Sequence, residues 1–170
     1  MPSTATHQPA RELLFEAARA DTTGQSERRC KTLFSLVDSA QALERRLKRE
    51  LALCEVTELG FVLLAQVIRQ EPDALTPSEA AHKLHLPRPA ISTILGRLEV
   101  SGLIRRERSS DDRRSLSIRM TEKGRRVFEG AIAQCLQMVN TLMSHVDSRE
   151  LSQLDDTCSR LRQHFLENKN

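Results

Sequence analysis

The sequence of 170 residues contains no tryptophan and no tyrosine, and only five phenylalanines. Proteins that bind RNA or single-stranded DNA commonly stack bases on exposed aromatic rings, so the scarcity of rings argues against these partners. No apolar run reaches the roughly 18 residues that a membrane span needs. The N-terminus also lacks the basic-then-apolar layout of a secretory signal. We therefore expect a cytoplasmic protein.

Cysteine pairs and catalytic motifs are also lacking. The four cysteines are widely separated and form no CxxC pair, a pattern that favours free, mostly buried thiols over a disulfide framework or a zinc site. The sequence has no glycine-rich phosphate loop, no GxSxG turn and no HExxH helix. We therefore predict no metal, no cofactor and no catalytic residues, and hence no enzyme. The cysteines are Cys30, Cys54, Cys135 and Cys158.

Positive charge is concentrated in one third of the chain. The formal net charge is +3, but residues 75–126 hold 12 Lys or Arg against 6 Asp or Glu, whereas the rest of the chain holds 14 basic and 17 acidic residues. A polyanionic partner favours such a basic segment, and a merely solvated charged face is the alternative.

The two ends of the chain have the apolar periodicity of amphipathic helices, at steps of three and four residues. Their combined apolar faces are too extensive for one copy to bury, so we expect a homodimer joined through them; a helix pair within one chain is the alternative. The predicted fold class is mainly α (α+β), a winged helix-turn-helix with a helical dimerisation domain. The predicted limits are an N-terminal arm at 1–25, partly disordered or a short helix, a dimerisation region at 26–55 and 125–168, and a DNA-binding domain at 56–124.

Between these ends lies a helix-turn-helix pattern. Thr76 to Glu79 form a capping box with proline at the first helical position, and a turn follows before a second helix. The inward face of the second helix holds Ile91, Ile94, Leu95 and Leu98. Its outward residues are mostly small, which favours close approach to base edges in a major groove, although helix packing is an alternative. The candidate DNA contacts on this helix are Arg88, Pro89, Ala90, Ser92, Thr93 and Arg97.

A hairpin follows, with predicted strands at 103–109 and 115–120 and with Leu116, Ile118 and Met120 facing inward. Its arginines could enter a minor groove, and an acidic residue at its tip could brace one of them through a bidentate pair. The candidate residues are Arg108, Asp112, Arg113 and Arg114, together with Lys123 and Arg125 of the next helix as phosphate contacts.

The segments LTPSEAAHKL, RPAISTILGRLEVSGLIRR and DDRRSLSIRMTEKG resemble the MarR family of bacterial transcription regulators, closely so over residues 57–126. The resemblance implies a winged helix-turn-helix, a homodimer, a palindromic double-stranded DNA site, and release by a small phenolic or similar effector. Ala80 departs from the family pattern, where leucine is more frequent, and this change predicts looser packing.

Two alternatives to an effector-controlled repressor stay open at this point. One is a repressor of the same fold that senses oxidation through Cys30, whose basic neighbours Arg28, Arg29 and Lys31 favour the thiolate. The other is a winged-helix module that binds proteins. Arginines at the hairpin tip and on the second helix favour DNA.

Overall fold

The computed structural model describes residues 8–108 and 116–167. Within them no single helix is long and apolar enough to cross a bilayer. Only the helices Gln25–Leu53 and Glu58–Gln70, considered as one bent pair, meet that test of length and composition. The elements are α1 (Gln8–Arg19), α2 (Gln25–Leu53), α3 (Glu58–Gln70), α4 (Pro77–Leu84), α5 (Arg88–Val100), β1 (Ile104–Arg108), β2 (Leu116–Met120), α6 (Glu122–Met143) and α7 (Ser148–Glu167).

The chain forms two compact units that divide between residues 49 and 50. In the first unit, the Arg11 guanidinium donates two hydrogen bonds of 2.8 Å to the Asp38 carboxylate and lies 4.5 Å from the centre of the Phe34 ring. The Phe15 ring lies 5.4 Å from that of Phe34. These contacts hold α1 against α2, and the bonds from Arg11 lower the pKa of the Asp38 carboxyl. Helix α1 lies within residues 1–25, where the sequence predicted an arm that is partly disordered or a short helix.

The second unit contains a winged helix-turn-helix, as predicted, together with α6 and α7. The apolar faces of α3, α4 and α5 pack against the hairpin and the start of α6, where the Phe61 and Phe128 rings stack at 4.9 Å. Ala80 is fully buried in this core, and the looser packing predicted from its small side chain stays a prediction. The buried core consists of Val56, Leu63, Leu64, Val67, Leu75, Ala80, Ile91, Leu95, Leu98, Leu103, Ile104, Ile118 and Phe128.

Strands β1 and β2 pair antiparallel, with Ile104 opposite Met120 and Arg106 opposite Ile118. Leu75 adds a single bridge to β2, because the Ile118 N–H donates to its carbonyl at 2.7 Å. Of the three residues predicted to face inward, Ile118 is buried and Met120 is half-buried, but Leu116 is exposed. The prediction for Leu116 was wrong because this residue pairs at the far end of the hairpin, beyond the core.

Helices α6 and α7 follow the hairpin, and the N-terminus of each is capped by a side chain. The Thr121 hydroxyl accepts from the Gly124 N–H at 2.9 Å at the start of α6. At α7 the Asp147 carboxylate accepts from the Glu150 N–H, and the Glu150 carboxylate accepts from the Asp147 N–H. None of the 20 residues of α7 is buried, and most of its apolar side is exposed to solvent.

Candidate nucleic-acid interface

Helix α4 begins at a complete capping box and ends in a sharp turn. The Thr76 hydroxyl accepts from the Glu79 N–H, and the Glu79 carboxylate accepts from the Thr76 N–H at 2.8 Å. That second bond lowers the pKa of the Glu79 carboxyl. His85 then adopts the left-handed conformation, with φ of 51°, and the Leu86 N–H donates to the Ala81 carbonyl at 3.1 Å. This αL cap reverses the chain and starts α5 after two residues.

Helix α5 has one buried side and one exposed side, as its periodicity predicts. Ile91, Leu95 and Leu98 are buried and Ile94 is half-buried, so the predicted inward face is confirmed. Among the predicted contact residues on α5, Ala90 is half-buried and the others are exposed, namely Arg88, Pro89, Ser92, Thr93 and Arg97.

The exposed side of α5 offers several polar groups to a partner. The Thr93 hydroxyl donates to the Pro89 carbonyl at 3.0 Å, so its oxygen remains available as an acceptor. Among the described residues, the Arg88 and Arg97 guanidinium groups and the Ser92 hydroxyl have no hydrogen-bond or ion-pair partner. This surface therefore carries two positive charges and unused donors beside small side chains.

Two basic residues of α6 that the sequence assigned to phosphates are engaged within the chain. The Lys123 ammonium donates to the Ser101 carbonyl at 2.9 Å, at the C-terminal end of α5. A cation at this position stabilises the negative end of the helix dipole. The Arg125 guanidinium contacts both oxygens of the Glu71 carboxylate at 2.7 Å, which raises its pKa. Lys123 thus fixes the end of α5, and Arg125 is committed to an ion pair.

The Met-Thr-x-x-Gly motif joins the end of α5 to the start of α6. The Thr121 hydroxyl lies 2.7 Å from the Gly102 carbonyl oxygen, to which it donates. The Thr121 N–H donates to the Leu103 carbonyl at 3.1 Å. A Cβ on Gly124 would lie 1.9 Å from the same carbonyl oxygen, so only glycine allows this approach. The motif is therefore a packing device that sets where α5 ends and the hairpin begins.

One face of the hairpin carries linked ion pairs that the sequence did not predict. The Glu107 carboxylate lies 2.8 Å from the Arg105 Nε and 3.3 Å from the Arg119 Nε. The Arg119 guanidinium also donates to the Pro72 carbonyl at 3.2 Å. Cross-strand pairing places Arg105 opposite Arg119, and Glu107 offsets their repulsion. These two arginines are held by the protein itself.

On the opposite face, Arg106 reaches from β1 to α5. Its Nε lies 3.1 Å from a carboxylate oxygen of Glu99. The two groups form an ion pair without an aligned hydrogen bond, because the buried Nε–H has no acceptor among the described residues. The Arg106 Nη2 lies 4.0 Å from the position that a Cβ of Gly96 would occupy. Neither Arg106 nor Glu99 was among the predicted contacts, and only the matching charges could have suggested them.

The predicted tip of the hairpin lies outside the described residues, and this includes Asp112, Arg113 and Arg114. The backbone of Arg108 ends β1 and pairs with Leu116. The DNA contacts predicted for Arg108, Arg113 and Arg114, and the bracing role predicted for Asp112, therefore stay predictions.

The four cysteines are free, but each is half-buried, so the expectation of mostly buried thiols was too strong. Burial raises the pKa of the Cys135 thiol, with further contributions from Cys54 and Glu50. A raised pKa disfavours the reactive thiolate. Among the described residues no cluster of His, Cys, Asp and Glu could hold a metal ion.

Known proteins match this architecture. A sequence model of the MarR family matches residues 60–115. The transcriptional regulator TtmR of Methylorubrum extorquens is 30% identical over 69% of this chain, and the match spans 57% of TtmR, less than two thirds of its length. The fold also agrees with a DNA complex of MepR from Staphylococcus aureus, at 22% identity and a TM-score of 0.65, over 79% of this chain and 98% of that chain.

A MarR family protein from Bacillus stearothermophilus has a solved structure that is 26% identical to this chain. The structural match covers 82% of this chain and 97% of that protein's chain, with a TM-score of 0.62. The named relatives are regulators of transcription and not enzymes, in agreement with the prediction from the sequence. The family match over residues 60–115 and the shared winged-helix fold place the helix-turn-helix of this chain in the MarR family of transcription regulators.

Proposed function

We propose that this protein is a sequence-specific DNA-binding repressor that works in the cytoplasm as a homodimer on palindromic promoter sites. The observation that carries the proposal is the exposed side of α5. Its small residues allow the helix backbone to approach base edges, and Ser92 can bond bases or phosphates. Arg88 and Arg97 supply positive charge without an internal partner among the described residues. The MepR–DNA complex, which shares the fold, supports the same assignment.

The homodimer is supported by the apolar surface that one copy leaves uncovered. On α7, Leu151, Leu154 and Phe165 are exposed, although all three are large and apolar. On α6, Leu136 and Leu142 are more than half exposed. Large apolar side chains exposed in this number commonly mark an interface. A two-fold dimer would also present two copies of α5 to successive major grooves.

Release by a small phenolic or similar effector is part of the proposal, and it is carried by the family resemblance. Such an effector must bind one spacing of the two α5 helices better than the other, since only differential affinity shifts a population. Oxidation of Cys30, which is half-buried, is the alternative signal. A DNA-binding assay repeated with phenolic acids and with a hydroperoxide separates the two.

Base reading by α5 is tested by selecting binding sites from random duplexes with the wild-type protein and with Ser92→Ala. We expect the variant to lose preference at one base position in each half-site and to bind the wild-type site about 1 kcal/mol more weakly, because one hydrogen bond is lost. Ser152→Ala is the matched control, since Ser152 is an exposed helical serine on α7. Identical selected sequences for all three proteins would contradict base reading by Ser92.

A further inference from the structure

The Arg106 guanidinium contacts α5 at Glu99 and Gly96. Within the described part of the chain, no other guanidinium of β1 is seen to contact this helix. Arg106 lies opposite Ile118 in the hairpin, on the face that is directed toward α5. Its side chain is 26% exposed, compared with 42% for Glu99. The guanidinium is therefore partly shielded and held at the junction between the helix and the hairpin.

Helix α5 has a glycine, Gly96, at this junction. Ser92, Gly96 and Glu99 follow one another at steps of four and three residues, so they lie in one row along α5. The row begins with an exposed candidate contact and has no side chain at Gly96. The Arg106 Nη2 lies against Gly96, at the distance of ordinary contact for an added Cβ. Arg106 thus extends the row with a positive charge that α5 itself does not carry there.

The bonding of this guanidinium is incomplete. Arginine has five N–H donors in a planar fork, and the Nε–H of Arg106 is buried without an acceptor although a Glu99 oxygen lies 3.1 Å away. Because the Nε is buried, a partner from outside would meet the exposed part of the side chain, which the poorly aligned Glu99 carboxylate does not hold in a hydrogen bond through Nε. A phosphodiester group offers a negative charge and oxygens that match the fork.

We propose that Arg106 binds a backbone phosphate of the DNA at the junction between α5 and the hairpin, and that Glu99 competes with this phosphate for the guanidinium. The inference rests on the proposed DNA binding, and it assigns a contact that positions the duplex and does not read its sequence. Glu99 holds Arg106 in place before binding. In the complex, its carboxylate lies near the phosphate and lowers the affinity by repulsion.

The test measures the affinity of each variant for a selected duplex by fluorescence anisotropy over a series of salt concentrations. Arg106→Gln should weaken binding about tenfold and reduce the slope of log affinity against log salt by about 0.9, because one phosphate contact is lost. Arg106→Lys should keep most of the slope, since the charge remains. Glu99→Gln should strengthen binding about threefold, because the competitor is removed while the shape is kept.

Glu122→Gln is the matched control for the removal of one negative charge, since Glu122 is an exposed residue of α6. It should strengthen binding less than Glu99→Gln. The inference is overturned if Arg106→Gln leaves the salt slope unchanged, or if Glu99→Gln weakens binding as a purely structural clamp would require. If circular dichroism shows that the Arg106→Gln variant is unfolded, the affinity of Glu99→Gln alone tests the inference. If the wild-type protein binds no duplex, the proposed function itself fails.

Discussion

Gly124→Ala is expected to lower the free energy of unfolding of the winged-helix unit by about 3 kcal/mol, at the upper end of the usual cost of overpacking. The added Cβ would lie 1.9 Å from the Leu103 carbonyl oxygen and 2.7 Å from the Met120 sulfur. The first of these atoms belongs to the backbone, so the chain between α5 and the hairpin must move. The bonds of Thr121 at this junction would be strained as well.

Urea denaturation followed by circular dichroism measures this loss. The matched control is Gly130→Ala on the same helix, where no atom lies within 4 Å of the added Cβ. Alanine favours a helix interior over glycine by roughly 1 kcal/mol, so the control should be neutral or stabilising. Equal midpoints and slopes for the two variants would show that the junction tolerates a side chain and that this packing argument is wrong.

Leu95→Ala is expected to cost about 2–5 kcal/mol, the range for buried leucines in well-packed cores. Leu95 is 1% exposed on the inner side of α5, next to Ile91 and Leu98 in the core. Its loss leaves a cavity beneath the helix that we propose to read DNA. We therefore expect weaker DNA binding as well, through a less firmly held α5.

The control for Leu95→Ala is Val100→Ala, at the last residue of the same helix. Val100 is 91% exposed, and substitutions at such surface sites commonly change stability by less than about 0.5 kcal/mol. Thermal and urea denaturation of both variants give the comparison. A cost below about 1 kcal/mol for Leu95→Ala would mean that the core under α5 is far looser than its burial indicates.

The sequence predicted the helix-turn-helix well because its signals are local. The capping box of Thr76 and Glu79 acts over three residues, and the inward face of α5 follows from steps of three and four. The prediction failed where the burial of a residue depends on how far the core extends and not only on the local pattern. Leu116 has the correct alternation for an inward residue, but alternation does not indicate where the core ends.

Long-range pairing explains what the sequence could not predict. The Arg125 and Glu71 side chains are 54 residues apart in the chain, and their contact depends on how α6 passes the end of α3. The same holds for Lys123, whose charge predicted a phosphate contact and whose ammonium bonds the end of α5. A count of basic residues therefore overstates the charge that is available to DNA.

The most direct test of the account is a titration of the wild-type protein into a selected palindromic duplex and into a scrambled duplex of the same composition. Anisotropy gives the two affinities, and sedimentation gives the number of protomers per duplex. We predict two protomers on the palindrome and a preference of about 10³-fold or more over the scrambled duplex. Equal affinity for both duplexes, or a single protomer on the palindrome, would contradict it.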